Sequence, residues 1–254
     1  IVGICSFCKV LNSNFVFIVW FDLLTNRFKF KKLKLQSKLV LTVSLSLIVI
    51  GTVAIFIFEQ KGVLFKNMPL NEQILTSMFQ SVSARTAGFN SLNLAAMTEP
   101  SLCMIICLMF IGGSTGSTAG GLKTTTFSVL VLSILSTIRH RKDIEAFGRR
   151  LESGLGRTAA CIFTLYILIV ALASMTISSI ESVPILHAVF ECVSAIATVG
   201  TTLGITTQLQ PASEIILILL MMIGRIGSVT ILLALFSDKG KTVSKHAQEK
   251  LQIG

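Results

Sequence analysis

Two six-residue stretches of this chain combine threonine, glycine and a short preceding apolar segment in the same way. Residues 85–90 read Arg-Thr-Ala-Gly-Phe-Asn, and residues 197–202 read Ala-Thr-Val-Gly-Thr-Thr. Each follows a short apolar segment that opens with a proline, Pro69 or Pro184, a residue well placed in the first turn of a helix. A threonine–x–glycine turn after such a half-helix can direct backbone carbonyl oxygens at an ion that has lost its water.

We call these stretches the first turn (residues 85–90) and the second turn (residues 197–202), and we interpret them as strands of a potassium-type selectivity filter. Glycine suits them because the turn needs φ values that a Cβ atom disfavours. The half-helices over 69–84 and 184–196 would point their negative ends toward the ion. The residues predicted to bind the cation are Thr86, Ala87, Gly88, Thr198, Val199 and Gly200. The alternative is a pair of ordinary glycine turns between membrane helices.

A glycine-rich segment (residues 112–126) interrupts an apolar stretch over 98–138, with five glycines in residues 112–121. Each glycine costs a helix about 1 kcal/mol against alanine, so a broken helix is predicted here. Non-helical backbone at membrane depth survives where it is buried in protein or lines a watery cavity. We therefore predict an intramembrane gate formed by Gly112, Gly113, Ser114, Thr115, Gly116, Ser117, Thr118, Ala119, Gly120, Gly121 and Lys123.

Two other interpretations of the glycine-rich segment stay open. Small residues allow close approach of membrane helices, so the segment could be a packing site. It also resembles a phosphate-binding loop, but Leu122 separates the last glycine from Lys123, and this breaks the motif.

Two arginines accompany these segments. Arg225 is a lone arginine within an apolar span, and an intramembrane arginine is costly and by default functional. We predict that it forms an electrostatic barrier below the filter or pairs with the gate; a carboxylate partner in another helix is the alternative. Arg85 lies in the first turn, where its charge would repel a cation. We expect it to point away from the ion and brace the turn, with Glu72 or Glu99 as open choices of partner.

The composition indicates a polytopic membrane protein. The 254 residues are 52% hydrophobic and only 13% charged, with a mean hydropathy of +0.81, whereas a soluble domain carries about a quarter charged residues. The net charge of +10 does not indicate a nucleic-acid partner, because the basic residues cluster in short loops between apolar runs. This positive-inside pattern is typical of a chain whose partner is the lipid bilayer.

The same pattern predicts the membrane topology. Residues 1–37 end with a basic cytoplasmic loop, residues 141–157 form a second, and residues 237–254 form a cytoplasmic tail. Spans are predicted over 39–58, 158–180 and 212–236. Glu181 and Glu191 fall outside, where we expect ordinary solvated charges that could attract cations to the mouth.

An internal repeat supports this organisation. A shift of 112 residues superposes residues 86–88 on 198–200, and residues 111–113 on 223–225. The predicted units over 38–140 and 158–236 each contain a span, a re-entrant half-helix, a turn and a span. Both enter from the same side, so the repeats are parallel and surround a central pathway. A carbonyl filter needs four such turns, so two more are expected from an N-terminal half or from another subunit.

These motifs together resemble the Trk/Ktr/HKT superfamily of potassium transporters, most closely the KtrB-type membrane subunit of bacterial Ktr uptake systems. The resemblance covers residues 25–240 and departs at residues 2–7. It implies an all-α polytopic fold of four K⁺-channel-like repeats, of which this chain holds the last two. It further implies K⁺ uptake across the bacterial cell membrane, a homodimer, a cytosolic ring of RCK-domain subunits that binds ATP or ADP, and sodium dependence in some members.

We therefore predict a potassium-selective uptake subunit, with K⁺ at the filter residues, no covalently bound cofactor and no enzymatic activity. One alternative is a secondary transporter of another cation or solute, which inverted repeats would favour. The other is a membrane enzyme or a non-conducting assembly subunit, which the sequence disfavours because no His/Cys/Glu cluster or Ser/His/Asp set stands on facing spans. The preference for K⁺ over Na⁺ is left open by the sequence.

Overall fold

The computed structural model describes residues 17–27, 30–66, 68–85, 87–90, 92–114, 119–141, 143–152 and 154–226. The predicted tail over 237–254, the end of the predicted span over 212–236, and residues 1–16 and 28–29 lie outside the described residues. Thr86 and residues 115–118 of the predicted sites lie outside them as well. Short 3-10 turns cover Phe30–Lys32, Leu94–Ala96 and Thr206–Gln208. The α-helices are α1 (Phe17–Thr25), α2 (Leu35–Glu59), α3 (Leu70–Ser83), α4 (Glu99–Phe110), α5 (Thr124–Ile138), α6 (Leu155–Glu181), α7 (Ile185–Ile196) and α8 (Pro211–Ile226).

The fold is all-α apart from one small hairpin in the predicted cytoplasmic loop. Strands β1 (Glu145–Ala146) and β2 (Arg149–Arg150) pair antiparallel. Exposed ion pairs join Arg141 to Glu145 at 3.1 Å and Arg150 to Asp143 at 2.5 Å. Such surface pairs contribute little to stability, so the hairpin is a local feature of the loop between α5 and α6.

Helices α2 and α6 are long and apolar enough to cross a bilayer, with 25 and 27 residues. α2 packs against α3, α4 and α5, while α6 packs against α5, α7 and α8. The two shorter helices α4 and α7 also pack against each other, so the two halves share one core. Buried side chains at this junction include Ile105, Leu108, Met109, Phe190, Val193 and Ile196.

Polar and apolar side chains are distributed as in a membrane protein. Large apolar residues are exposed along the outer faces of the long helices α2 and α6, including Leu45, Val49, Val53, Leu168 and Leu172. Fully buried polar side chains instead lie inside, including Ser77, Gln80, Ser81, Arg85, Ser101 and Ser213. Extended apolar surfaces of this kind are unfavourable in water but match the hydrocarbon of a bilayer.

Two carboxylates at the ends of the long helices cap α4 and α8. Glu59, at the end of α2, accepts hydrogen bonds from Thr98 N at 3.2 Å and Ser101 Oγ at 2.8 Å. Glu181, at the end of α6, accepts from Gln210 N at 2.8 Å and Ser213 Oγ at 2.6 Å. A carboxylate at a helix N-terminus satisfies free N–H groups and complements the helix dipole. Each cap therefore ties a long helix to the start of α4 or α8.

Removing the Glu59 cap is expected to destabilise the protein strongly. Glu59 is fully buried, so Glu59→Ala leaves buried donors unpaired and should cost about 3 kcal/mol, lowering Tm by several degrees. Glu181→Ala should cost less because Glu181 is only half-buried. Thermal unfolding in detergent micelles measures both, with Glu72→Ala, an exposed residue in the first turn of α3, as the matched control. Equal Tm values for Glu59→Ala and Glu72→Ala would contradict the capping role.

Candidate functional site

The first and second turns lie against each other, although 112 residues separate their glycines in the chain. Gly88 has a φ of 70°, and a Cβ atom built on it would lie 2.2 Å from the carbonyl oxygen of Val199 and 3.9 Å from the carbonyl carbon of Gly200. Gly200 has a φ of 84° and open space around it. Of the six predicted filter residues, the structure therefore brings Gly88 together with Val199 and Gly200.

A serine on each half-helix holds the turn that follows it. The hydroxyl of Ser83 donates to the carbonyl of Phe89, and the hydroxyl of Ser194 donates to the carbonyl of Thr201 at 2.5 Å. Each acceptor directly follows a turn glycine. Sequence reasoning missed these serines, although a serine near the end of each half-helix is visible in the sequence.

The two turns are not identical in length. Gly88 follows Ser83 by five residues, whereas Gly200 follows Ser194 by six. The longer turn contains Thr198, which adopts a left-handed φ of 54° that costs a non-glycine residue about 1–2 kcal/mol. The 112-residue shift thus aligns the glycines but not the serines.

The glycine-rich segment returns on itself, so its two ends lie side by side. Gly112 N donates to Leu122 O at 2.9 Å, Leu122 N to Phe110 O at 3.2 Å, and Thr124 N to Gly113 O at 3.1 Å. α4 ends at Phe110 and α5 begins at Thr124, so the three threonines at 124–126 belong to the helix and not to the predicted loop. The first N–H groups of a helix have no partner within the helix, and here the N–H of Thr124 is satisfied by the carbonyl of Gly113.

The glycine-rich segment also contacts the second turn. Gly120 N donates to the hydroxyl of Thr198 at 3.0 Å, and Gly121 N donates to the carbonyl of Ile196, the last residue of α7, at 3.2 Å. A Cβ atom on Gly120 would lie 2.8 Å from that same carbonyl oxygen. Only small residues allow this approach, so glycine here serves contact with the second turn as well as breaking the helix.

The two basic residues assigned to the gate lie near the second turn. Lys123 donates through Nζ to the carbonyl of Ala119, within its own segment. Arg225 is exposed in α8 and lines a cavity of about 570 Å³ together with Thr198, Gly200 and Thr202. The positive charge of Arg225 therefore borders this cavity.

Arg85 is fully buried and braces the first turn without a carboxylate. Its guanidinium donates to Ser44 O at 3.3 Å, Ser44 Oγ at 3.4 Å and Gly112 O at 3.5 Å. These are long hydrogen bonds. Neither Glu72 nor Glu99 pairs with it in the described part of the chain, where the ion pairs found are the two in the loop between α5 and α6. Arg85 thus links α2, the first turn and the start of the glycine-rich segment.

The expectation that Glu191 is an ordinary solvated charge is wrong. Its side chain is only 4% exposed, and it accepts hydrogen bonds from Thr202, Leu203 and Thr206. Glu181 is also engaged, as the cap of α8. Glu181 ends α6 and Glu191 lies within α7, and their hydrogen-bond donors lie 11 to 32 residues later in the chain, so the sequence alone does not bring them together.

Comparison with known proteins gives the family. The chain matches the family described as TrkH, cation transport protein, over residues 12–245. It is 34% identical over 244 residues to the potassium/sodium uptake protein NtpJ of Enterococcus hirae, covering 94% of this chain and 54% of the relative. It is 38% identical over 216 residues to the Ktr system potassium uptake protein B of Bacillus subtilis, covering 84% and 48%. The chain therefore spans about half the length of these curated relatives.

A solved structure shows the same fold. The crystal structure of the potassium transporter TrkH from Vibrio parahaemolyticus superposes with a TM-score of 0.70 at 20% identity, over 89% of this chain and 50% of that chain. The resemblance seen in the sequence is confirmed, and the fold is that of an all-α membrane protein. The family consists of cation transporters and not enzymes. This chain thus belongs to the TrkH family of cation transport proteins.

Proposed function

We propose that this chain forms part of a potassium-selective uptake pathway, with the first and second turns as two strands of its filter. The observation that carries the proposal is the close approach of Gly88 to the carbonyl oxygen of Val199, which brings the two turns into contact. Two relatives are named as potassium or potassium/sodium uptake proteins, which supports K⁺ as the transported ion. No observation favours a secondary transporter of another solute.

In this proposal, carbonyl oxygens replace the water around the cation. Thr86, Ala87 and Gly88 supply them from the first turn, and Thr198, Val199 and Gly200 from the second. Oxygens that are held in place cannot close around a smaller ion without strain, which is one basis for preferring K⁺ to Na⁺. The bonds from Ser83 to Phe89 and from Ser194 to Thr201 support this role, because each fixes the residue that follows a filter glycine.

We further propose that the two halves are parallel repeats, the third and fourth of four. Thr98 and Ser101 donate to Glu59, and Gln210 and Ser213, which lie 112 residues later in each case, donate to Glu181. The donors thus extend the 112-residue relationship beyond the turns, whereas the two carboxylates are 122 residues apart. The remaining two filter strands would come from the other half of a protein twice this length or from another subunit.

The glycine-rich segment is proposed as the gate. Its hydrogen bonds to Thr198 and Ile196 support this role, because movement of the segment would break them and so displace the second turn. Arg225 would act as an electrostatic barrier in the cavity that it lines together with the second turn.

Removal of the Arg225 charge is expected to speed or deregulate uptake. Two charges about 8 Å apart interact by about 2 kcal/mol near a protein surface, so Arg225→Ala should raise the initial rate by about thirtyfold. Rubidium uptake into cells measures this rate, with Arg157→Ala, an exposed arginine in the first turn of α6, as the matched control. Unchanged kinetics in Arg225→Ala would count against the barrier.

The assembly is also proposed from the resemblance. The full protein would be a homodimer in the bacterial cell membrane, with its C-terminus in the cytoplasm. A cytosolic ring of RCK-domain subunits would bind ATP or ADP and control the gate. Two relatives are named as parts of Ktr systems, which supports a regulatory partner.

Rescue of potassium uptake tests the proposed function. The full-length protein is expressed in cells that lack their own K⁺ uptake systems, and growth in low K⁺ and rubidium uptake are measured with and without Na⁺. We expect rescue by the wild type and none by Gly88→Ser, at equal membrane abundance. A wild-type protein that reaches the membrane and moves no K⁺ would overturn the proposal. Uptake of Na⁺ without K⁺ would show that the transported ion is Na⁺.

A further inference from the structure

Behind the second turn, a buried carboxylate joins the half-helix to the segment that leaves the turn. Glu191 lies on α7, one helical turn before Ser194. One of its oxygens accepts from Thr202 Oγ1 at 2.7 Å and from Leu203 N at 2.9 Å, and the other accepts from Thr206 Oγ1 at 3.0 Å. Hydrogen bonds to an ionised acceptor are roughly twice as strong as neutral ones. Residues 202–206 are therefore held by one side chain.

The bonds around Glu191 form a closed network. Thr202 Oγ1 also accepts from Gly204 N at 2.9 Å and lies 2.7 Å from Thr206 Oγ1. Because each hydroxyl has one proton, a hydroxyl that donates to the carboxylate does not also donate to the other threonine. No lysine or arginine forms an ion pair with Glu191 within the described residues. Its charge is satisfied by the segment it holds and not by a cation of the protein.

The first turn has a neutral residue at the corresponding position. Gln80 precedes Ser83 by three residues, as Glu191 precedes Ser194, and the two serines hold their turns in the same way. Gln80 is fully buried, and neither atom of its side-chain amide has a hydrogen-bond partner in the described structure. The two turns thus differ in how they are supported from behind.

Glu191 also borders the proposed ion pathway. It lines the same cavity of about 570 Å³ as Thr198, Gly200 and Thr201. If the segment after Gly200 could move, the carbonyls of the second turn could close around a smaller cation. A carboxylate that fixes this segment would oppose such closure, and its negative charge would favour cations in the cavity.

We propose, on the basis of the function proposed above, that Glu191 is a specificity-determining positioning residue. By accepting hydrogen bonds from Thr202, Leu203 and Thr206 it holds the segment after the second turn, and so sets the discrimination between K⁺ and Na⁺. It acts through the segment it holds and does not contact the ion.

The test measures ion discrimination separately from transport rate. Rubidium uptake by the full-length protein is measured in K⁺-uptake-deficient cells at rising K⁺ and rising Na⁺, which gives the K⁺ to Na⁺ inhibition ratio. Glu191→Gln keeps the shape but removes the charge and places an amide NH₂ group against the donors of the segment. We expect the ratio to fall by about tenfold, equivalent to about 1.4 kcal/mol, while membrane abundance stays at the wild-type level.

Two further variants separate positioning from charge. The double variant Thr202→Val, Thr206→Val removes two donors but keeps the carboxylate, and its ratio should fall in the same direction. Glu214→Gln removes an exposed negative charge from the first turn of α8 and is the matched control, with no expected change. If Glu191→Gln does not reach the membrane, the K⁺ to Na⁺ inhibition ratio of the double variant tests the inference by itself.

Three outcomes would overturn the inference. One is a Glu191→Gln protein whose rate falls but whose ratio is unchanged, since a purely structural role predicts that result. Another is an unchanged ratio in the double variant, and the third is an equal fall in Glu214→Gln. A wild-type protein that moves no K⁺ would instead overturn the proposed function, and the two failures are therefore distinguishable.

Discussion

Gly88→Ala is expected to abolish K⁺ uptake. The added Cβ atom would lie 2.2 Å from the carbonyl oxygen of Val199, so one of the two turns must move. Alanine also disfavours the φ of 70° by about 1–2 kcal/mol. Together these terms exceed about 3 kcal/mol, which corresponds to a loss of uptake of about 100-fold or more. Rubidium uptake at matched membrane abundance measures the loss.

Two other glycines provide matched controls for this prediction. Gly148 has a φ of 73° but nothing within 4 Å of an added Cβ atom, so Gly148→Ala carries the backbone strain without the contact. Its uptake should remain near the wild-type rate. Gly200→Ala carries a similar strain inside the second turn with open space around it, and an intermediate loss is expected. Wild-type uptake by Gly88→Ala would show that the two turns do not meet as described.

Gly224→Ala is expected to have the second large effect, from a position outside both turns. Gly224 lies in α8 where a Cβ atom would be 1.9 Å from the carbonyl oxygen of Ile196. A backbone carbonyl cannot rotate away as a side chain can, so α8 must move by roughly 1.5 Å to reach an ordinary contact. We expect uptake to fall by at least about tenfold and Tm to fall by several degrees.

The control for Gly224→Ala is another helical glycine. Gly156 lies in α6, and a Cβ atom there would meet Ser133 Oγ at 2.9 Å, the end of a side chain that can rotate. Both changes replace a helical glycine by a better helix former, so the propensity term favours alanine in each case. Gly156→Ala should therefore keep Tm and uptake. Similar results for the two variants would contradict the close packing of α8 on α7.

The carbonyl of Ile196 explains why these sites are linked. It ends α7, accepts from Gly121 N, and lies against the Cα atoms of Gly120 and Gly224. The end of α7, the glycine-rich segment and α8 thus meet at one oxygen atom. A displacement of any one of these elements would change the space available to the other two, because protein interiors are closely packed and contain few voids.

Arg85 supports the first turn in a different way. A buried cation is costly unless its donors are satisfied, and here they reach only backbone and hydroxyl oxygens through long hydrogen bonds. The pairing with Glu72 or Glu99 that the sequence left open does not form in the described residues. The guanidinium instead spans from α2 to Gly112, so the first turn also has a contact with the glycine-rich segment.

The sequence alone determined where the turns, the half-helices and the long spans lie. These features depend on local chemistry: Pro69 and Pro184 favour helix starts, five glycines between 112 and 121 oppose a helix, and long apolar runs match a bilayer. The same motifs were specific enough to identify the family. Ion binding at the filter residues, the gate and the four-repeat arrangement stay predictions.

Only the tertiary structure decided which atoms meet. The contact of Gly88 with Val199, and the convergence of Gly121 and Gly224 on Ile196, join residues that are distant in the chain, and no local pattern encodes such distances. The burial of the Glu191 side chain likewise depends on the tertiary structure. Glu191 looks like a solvated charge in the sequence, because its donors at 202, 203 and 206 reach it only after the second turn folds back over α7 and excludes water.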